Sequence, residues 1–394
     1  MSSSLWRSAL VLGTLALVGP FAIDMYLPAM PAIALDLGVR ETAVQATITA
    51  YFIAFGIAQM VYGPWADQAG RKPPIYVGVG IFLIGSAGAA LAGSVDELIA
   101  WRFLQGLGGA VLMVLPRAII RDMHTGAEAT KLMALIMLVI SISPMLAPLA
   151  GSAVIALAGW RVIFATLFAG ALISLAMTAT MLPETLSAPR RRPVNMRSLI
   201  AGARRLLTDA RFMGLTFIGA FGMGSFFVFL ASAAFVYTGE FGLSPTGFSL
   251  AFAINAVGFF SASQAAGPLA SRIGLARVIR LGTGLFAIFS LALLGIALTV
   301  GATLPLVVGC LFFGNAGLGL VIPTTMVMAL DDHGEIAGLA SSLGGTMQML
   351  TGGAMIVAAG PFFDGTATPM IAVIALCGVA AFGLTLATLG VRRA

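Results

Sequence analysis

Two residues of the 394-residue chain stand out by where they fall: Asp24 and Arg102. Each interrupts a long apolar run, whereas the other fourteen of the fifteen acidic residues lie in polar segments or at the ends of such runs. A charged side chain at membrane depth is costly, so by default it faces the protein interior or a wet cavity and marks a functional position. Burial holds a proton on a carboxylate and a neighbouring guanidinium releases it, so a change of water access swings such a group between loaded and unloaded. That is the chemistry of a proton carrier, with Asp24 as the carrier and Arg102 as the partner that tunes it. Both residues are expected roughly 9 Å inside the same end of their helices at 1.5 Å per residue, where they can pair. A static Asp24–Arg102 bridge that only fixes helix packing is the alternative.

The elements that hold this pair follow from composition. The chain is 59% hydrophobic and 9% charged, with a mean hydropathy of +1.04, against roughly 25% charged in soluble domains. A bilayer-spanning helix takes about 20 apolar residues, so twelve such helices use about 240 and leave short loops and one linker. Barrels are excluded, because the apolar runs are continuous and Gly-rich instead of alternating. The sequence therefore predicts an all-α integral membrane protein whose spans lie near 8–30, 43–65, 74–94, 97–121, 129–157, 160–182, 211–238, 247–270, 276–299, 303–330, 335–361 and 366–390. The N-terminal run superficially resembles a signal peptide ending at Ala32-Ile33-Ala34, but it is too long, contains Asp24 and continues into further spans.

With the N-terminus inside, all but three of the 21 basic residues (Arg40, Arg102 and Arg161) fall on cytoplasmic segments, which places both termini in the cytoplasm and requires an even number of spans. The densest group is Arg190, Arg191, Arg192, Arg197, Arg204, Arg205 and Arg211, near the midpoint of the chain. It marks a polar linker, 183–210, between a six-helix bundle over 1–182 and another over 211–394, and these arginines are expected to touch anionic headgroups. The formal charge of +6 follows this topology and gives no reason to expect nucleic acid. Internal repetition supports the division. Gly63-Pro64-Trp65-Ala66-Asp67-Gln68-Ala69-Gly70, after the second span, agrees at four of eight positions with Gly267-Pro268-Leu269-Ala270-Ser271-Arg272-Ile273-Gly274, after the eighth.

Other chemistry is sparse. Cys310 and Cys377 are far apart in apolar runs, so neither a disulfide nor a Cys-ligated metal site is expected. His124 and His333 lie at helix ends, with no HExxH, no GxxxxGK[ST] and no clustered nucleophile and base, which argues against a membrane-embedded enzyme. In the second half only neutral polar residues interrupt the spans: Asn255, Gln264, Asn315 and Gln348. Each is either interhelical glue or a substrate contact. Tyr26, Tyr51 and Gln105 are first-half candidates for a cavity wall, and the twenty methionines suit an adaptable surface.

The segment Gly63 to Pro73 joins spans 2 and 3, where Gly70 permits a tight turn, Asp67 can accept backbone N–H bonds from a helix N-terminus, and Arg71 and Lys72 hold the loop inside. It resembles the signature loop of the major facilitator superfamily, with Trp65 in place of the usual Leu and Gln68 in place of the usual Arg. Three further stretches resemble the Bcr/CflA branch of drug/proton antiporters: Asp24-Met25-Tyr26-Leu27-Pro28-Ala29-Met30-Pro31, Arg102-Phe103-Leu104-Gln105-Gly106, and Leu182-Pro183-Glu184-Thr185-Leu186. In span 5, Pro144, Pro148 and Gly151 resemble the antiporter motif, although Ala147 precedes Pro148 where Gly is usual. Physically they predict a bent, closely packed helix.

The resemblance implies two pseudo-symmetric six-helix bundles and proton-coupled efflux of small amphipathic compounds, chloramphenicol- or bicyclomycin-like, by alternating access. The halves would rock about a cavity between them, and the loop of Asp67 would latch the outward-facing state. No cofactor is implied; the proton gradient supplies the energy, the bilayer is the solvent, and a monomer is expected. The first rival reading is a metabolite or nutrient symporter on the same fold.

Overall fold

A bilayer offers the backbone no hydrogen-bond partners, and the chain responds by satisfying its own through helices. The computed structural model describes residues 3–124, 126–191 and 195–390. Arg192 and Pro193 of the expected linker, and Arg392 and Arg393 of the expected cytoplasmic terminus, lie outside the described residues. Among those described there are fourteen α-helices and no strand. The chain divides into two compact units, Met1–Met196 and Arg197–Ala394.

The first unit holds α1 (Ser3–Asp24), α2 (Met30–Leu37), α3 (Glu41–Ala69), α4 (Lys72–Leu91), α5 (Val95–Met123), α6 (Gly126–Ala158) and α7 (Arg161–Met181). α8 (Met196–Thr208) opens the second, followed by α9 (Ala210–Gly239), α10 (Pro245–Ile273), α11 (Leu275–Thr299), α12 (Leu304–Asp331), α13 (Ala337–Ala359) and α14 (Ala367–Gly390). α8 occupies part of the segment read from sequence as a polar linker.

Eleven stretches are helical, long and apolar enough to cross a membrane. The one expected span not among them, 335–361, coincides with α13, which has the length of a span at 23 residues but dilutes its apolar content with five glycines and with Ser341, Ser342, Thr346, Gln348 and Thr351. The first stretch also departs from expectation, running over Trp6–Leu37 with a break in the middle. Proline is the reason: Pro28 and Pro31 have no N–H with which to extend the α1 ladder, and each sits in the first turn of a new element, the 3₁₀ turn Leu27–Ala29 and α2. Asp24 is thus the last residue of α1, near the middle of that stretch and not close to its C-terminal end.

The two units repeat one packing scheme. α5 packs on α3 and α4, α4 on α7, and α1 on α6 and α7; in the second unit α12 packs on α10 and α11, α11 on α14, and α9 on α13 and α14. Matching glycines make close crossings in both units. A Cβ on Gly108 of α5 would strike the Gly78 carbonyl of α4, and one on Gly317 of α12 would meet the Gly282 carbonyl of α11 at 2.5 Å. Small residues let membrane helices approach backbone to backbone, where dispersion replaces the hydrophobic drive that lipid does not supply. The duplicated loops end alike as well, with Gly70 at φ +97° and Gly274 at φ +87°.

Candidate functional site

The start of α5 is fixed by Ser94, whose hydroxyl accepts the Glu97 N–H at 3.3 Å, while the Glu97 carboxylate accepts the Gly93 N–H at 2.9 Å. This sets Arg102 seven residues into the helix, about 10 Å along its axis. There it is fully buried. Its Cζ lies 4.5 Å from the ring centroid of Tyr26, 4.4 Å from that of Tyr51 and 5.9 Å from that of Phe164. Nη1 donates to the Ala22 carbonyl at 3.1 Å and to Gln105 Oε1 at 2.5 Å, whereas Nε and Nη2 have no hydrogen-bond partner among the described residues. The cation is therefore held by ring quadrupoles and neutral oxygens.

The neighbours of Arg102 are themselves tied down. Gln105 donates from Nε2 to Ser86 Oγ at 2.8 Å, and Ser86 donates to the Phe82 carbonyl at 2.7 Å. Tyr26 meets Thr47 Oγ1 at 2.6 Å, and because Thr47 spends its one hydroxyl hydrogen on the Val44 carbonyl, Tyr26 is the donor. Gly106 brings α5 against the backbone of Tyr51. Tyr51 stacks on Phe55 and keeps a buried hydroxyl without a partner.

Asp24 does not complete this cluster in the way the sequence suggested. It is 5% exposed and makes neither an ion pair nor a side-chain hydrogen bond among the described residues. The expected pairing with Arg102 is replaced by the aromatic and carbonyl contacts above. The two residues do share a level, since Arg102 reaches the Ala22 carbonyl and the Tyr26 ring on either side of Asp24, but the guanidinium spends its contacts there and not on the carboxylate. Gly151 of α6 touches the break that follows Asp24, since a Cβ there would strike the Met25 carbonyl and meet Pro28 Cγ at 3.1 Å. Pro144 and Pro148 both lie inside α6, and the Pro148 carbonyl accepts from Ser152 Oγ at 3.0 Å.

The expected loop latch is a charge network within the first unit, and its parts differ from the sequence reading. α3 continues to Ala69, so Gly63 is a helical residue and the turn is only Gly70 and Arg71. Among the described residues Asp67 takes no N–H bonds from a helix end. It accepts Arg71 Nη1 at 2.7 Å, and Arg71 Nε reaches Asp122 Oδ2 at 2.6 Å. The acceptor for the start of α4 is Glu184, which takes the N–H groups of Arg71 at 2.8 Å and Lys72 at 3.1 Å, with Leu186 N–H at 3.0 Å. Lys72 Nζ in turn donates to the Leu182 carbonyl at 2.8 Å, just beyond the C-terminus of α7. Burial opposes ionisation of Glu184, but the backbone bonds from Arg71, Leu186 and Lys72, with the Arg191 charge, outweigh it and hold the carboxyl below its usual range. Arg71 shows the same balance, since burial works against its charge while Asp122 and Asp67 raise its hold on the proton. Sequence reasoning missed Asp122, Thr47 and Ser86, which carry no local signal; Glu184 was visible only as part of its motif.

In the second unit, Asn255 donates from Nδ2 to the Ala251 carbonyl at 3.3 Å and neighbours Tyr237. Asn315 is buried in α12. Gln348 reaches a small cavity of about 50 Å³ whose polar lining also includes Thr216, Thr325 and Ser341.

Broken first span, buried arginine and Glu184-anchored turn occur together with a sequence match to the Major Facilitator Superfamily over residues 12–356. The chain belongs to that superfamily. It is 34% identical over 96% of its length to the "Uncharacterized MFS-type transporter YdgK" of Bacillus subtilis, covering 95% of that protein. It is 30% identical over 94% of its length to the "Bicyclomycin resistance protein homolog" of Haemophilus influenzae, covering 93% of that relative. Its fold matches a D-xylose-proton symporter with a TM-score of 0.77 over 97% of both chains, at 18% identity. This member of the superfamily is accordingly a multi-pass membrane transporter and not an enzyme, with drug-resistance proteins of the Bcr/CflA type among its relatives.

Proposed function

We propose that this superfamily member exports small amphipathic compounds of the bicyclomycin or chloramphenicol class in exchange for protons, by alternating access, across the inner membrane of a bacterium with both its termini cytoplasmic. The observation that carries the reading is Asp24: a carboxylate buried at the C-terminal end of a broken membrane helix, with no partner among the described residues. The last carbonyls of a helix present their negative ends to such a group, so a bound proton is its natural compensation. Arg102 contributes two buried donors, Nε and Nη2, that can turn to a carboxylate once its proton leaves. Gln105 and Ser86 position it. The Gly70–Arg71 turn, with Asp67, Asp122, Glu184 and Lys72, acts as the conformational latch, and α6, bent by Pro144 and Pro148, sets Gly151 against the break at Met25. Tyr26, Asn255, Asn315 and Gln348 supply hydrogen-bonding contacts to substrate, and Tyr51 supplies an aromatic one. The name of the Haemophilus influenzae relative supports the substrate class, and the coupling ion is the proton gradient without any cofactor.

Direction decides between this reading and a nutrient symporter. In everted membrane vesicles acidified inside by respiration, labelled bicyclomycin or chloramphenicol is expected to accumulate and to leave when an uncoupler is added. Uptake driven in the same direction as the proton would overturn export.

A further inference from the structure

α8 has two apolar faces, and only one of them is used. Leu206 is fully buried in the core of the second unit with Phe212, Leu215 and Leu343, and Gly202 lies against Leu339. Met196, Ile200 and Leu207 are instead 63%, 63% and 47% exposed. At about 100° per residue these three fall within an arc of about 40°, roughly 120° around the helix from the buried face. Arg197 and Arg204 project on the far side of that strip, about 40 to 60° beyond its edge. Both are exposed, and the ion pairs of this region use Arg205 and Arg211 instead.

A single residue, Asp209, separates α8 from α9, and Asp209 caps α9 by accepting the N–H groups of Arg211 and Phe212 at 2.8 and 2.9 Å. α9 is long and apolar enough to span a membrane. α8 is therefore confined to the level at which a spanning helix enters the bilayer. A helix lying in that zone needs one face for the protein, one for acyl chains and one for headgroups. Leu206, Ile200 and Arg204 lie on three such faces, in that angular order.

We infer that α8 is an interfacial helix that seats Met196, Ile200 and Leu207 among acyl chains and binds anionic phospholipid headgroups through Arg197 and Arg204. A strip of bulky apolar residues edged by unpaired arginines matches that partner in both chemistry and charge. The inference does not depend on the direction or substrate of transport.

A photo-crosslinking amino acid placed at Ile200 or at Ala201 of the full chain, reconstituted in phosphatidylcholine vesicles with and without phosphatidylglycerol, tests it. Mass analysis is expected to find several-fold more lipid adduct at position 200 than at 201. Phosphatidylglycerol should be over-represented in the adducts several-fold relative to its share of the vesicle, and the Arg197→Gln/Arg204→Gln variant should remove that preference. Adducts at position 200 to another part of the chain or to a second copy, equal lipid labelling at both positions, or a headgroup preference that survives the double substitution would each overturn it.

Discussion

Arg102 sets its guanidinium carbon 4.4 Å from the ring centroid of Tyr51, inside the first unit, and no carboxylate pairs with it among the described residues. A buried cation held this way depends on the flat face of the guanidinium and on its fork of donors, which lysine lacks. Arg102→Lys is expected to lower transport at least tenfold while the protein still folds. Tyr51→Phe keeps the stacking ring and removes a hydroxyl that has no partner, so it should change stability by no more than about 0.5 kcal/mol and leave transport near wild type. Thermal unfolding in detergent beside vesicle transport checks both.

Gly151 is expected to tolerate no side chain. Even Ala would push α6 away from the Met25 carbonyl, and Val would also strike Pro28, at a cost of about 1–3 kcal/mol for overpacking. Because the contact is with the break that follows Asp24, Gly151→Val should abolish proton-driven transport at temperatures where purified protein remains folded. Wild-type transport by a folded Gly151→Val protein would contradict the packing account.

Glu184 gives the turn at Gly70–Arg71 a defined pH window. A carboxyl held below its unfolded value stabilises the fold above that value, and the contribution disappears as pH falls through the folded value. The window here is the acid range below the ordinary carboxylate value of 4.5. Glu184→Ala is expected to lower stability by about 1–3 kcal/mol at neutral pH, because the Arg71, Lys72 and Leu186 N–H groups lose their shared acceptor. The difference from wild type should stay constant from neutral pH to mild acid and shrink only in that acid range, as read by unfolding temperature against pH.

The helices, the duplicated loop and the two intramembrane charges were legible because each is local: apolar runs, Gly70 matched by Gly274, Asp24 and Arg102 among apolar neighbours. The partners were not legible, because they are set by packing. Nothing in the sequence near Gly70 points to Glu184, more than a hundred residues away, as the acceptor for the start of α4. Pro28 and Pro31 did announce a helix break, yet a hydropathy reading runs through them, so the place of Asp24 at the very end of α1 was missed. α13 shows the converse. Its glycines and hydroxyl residues lower its apolar content while it remains a helix of spanning length.

The central claim is that Asp24 carries the coupling proton. The direct measurement compares wild type and Asp24→Asn in proteoliposomes, following labelled substrate in two modes: accumulation driven by an imposed pH gradient, and exchange of substrate for substrate with no gradient. The account predicts that Asp24→Asn keeps exchange and loses gradient-driven accumulation. Gradient-driven accumulation by Asp24→Asn at the wild-type level would contradict it.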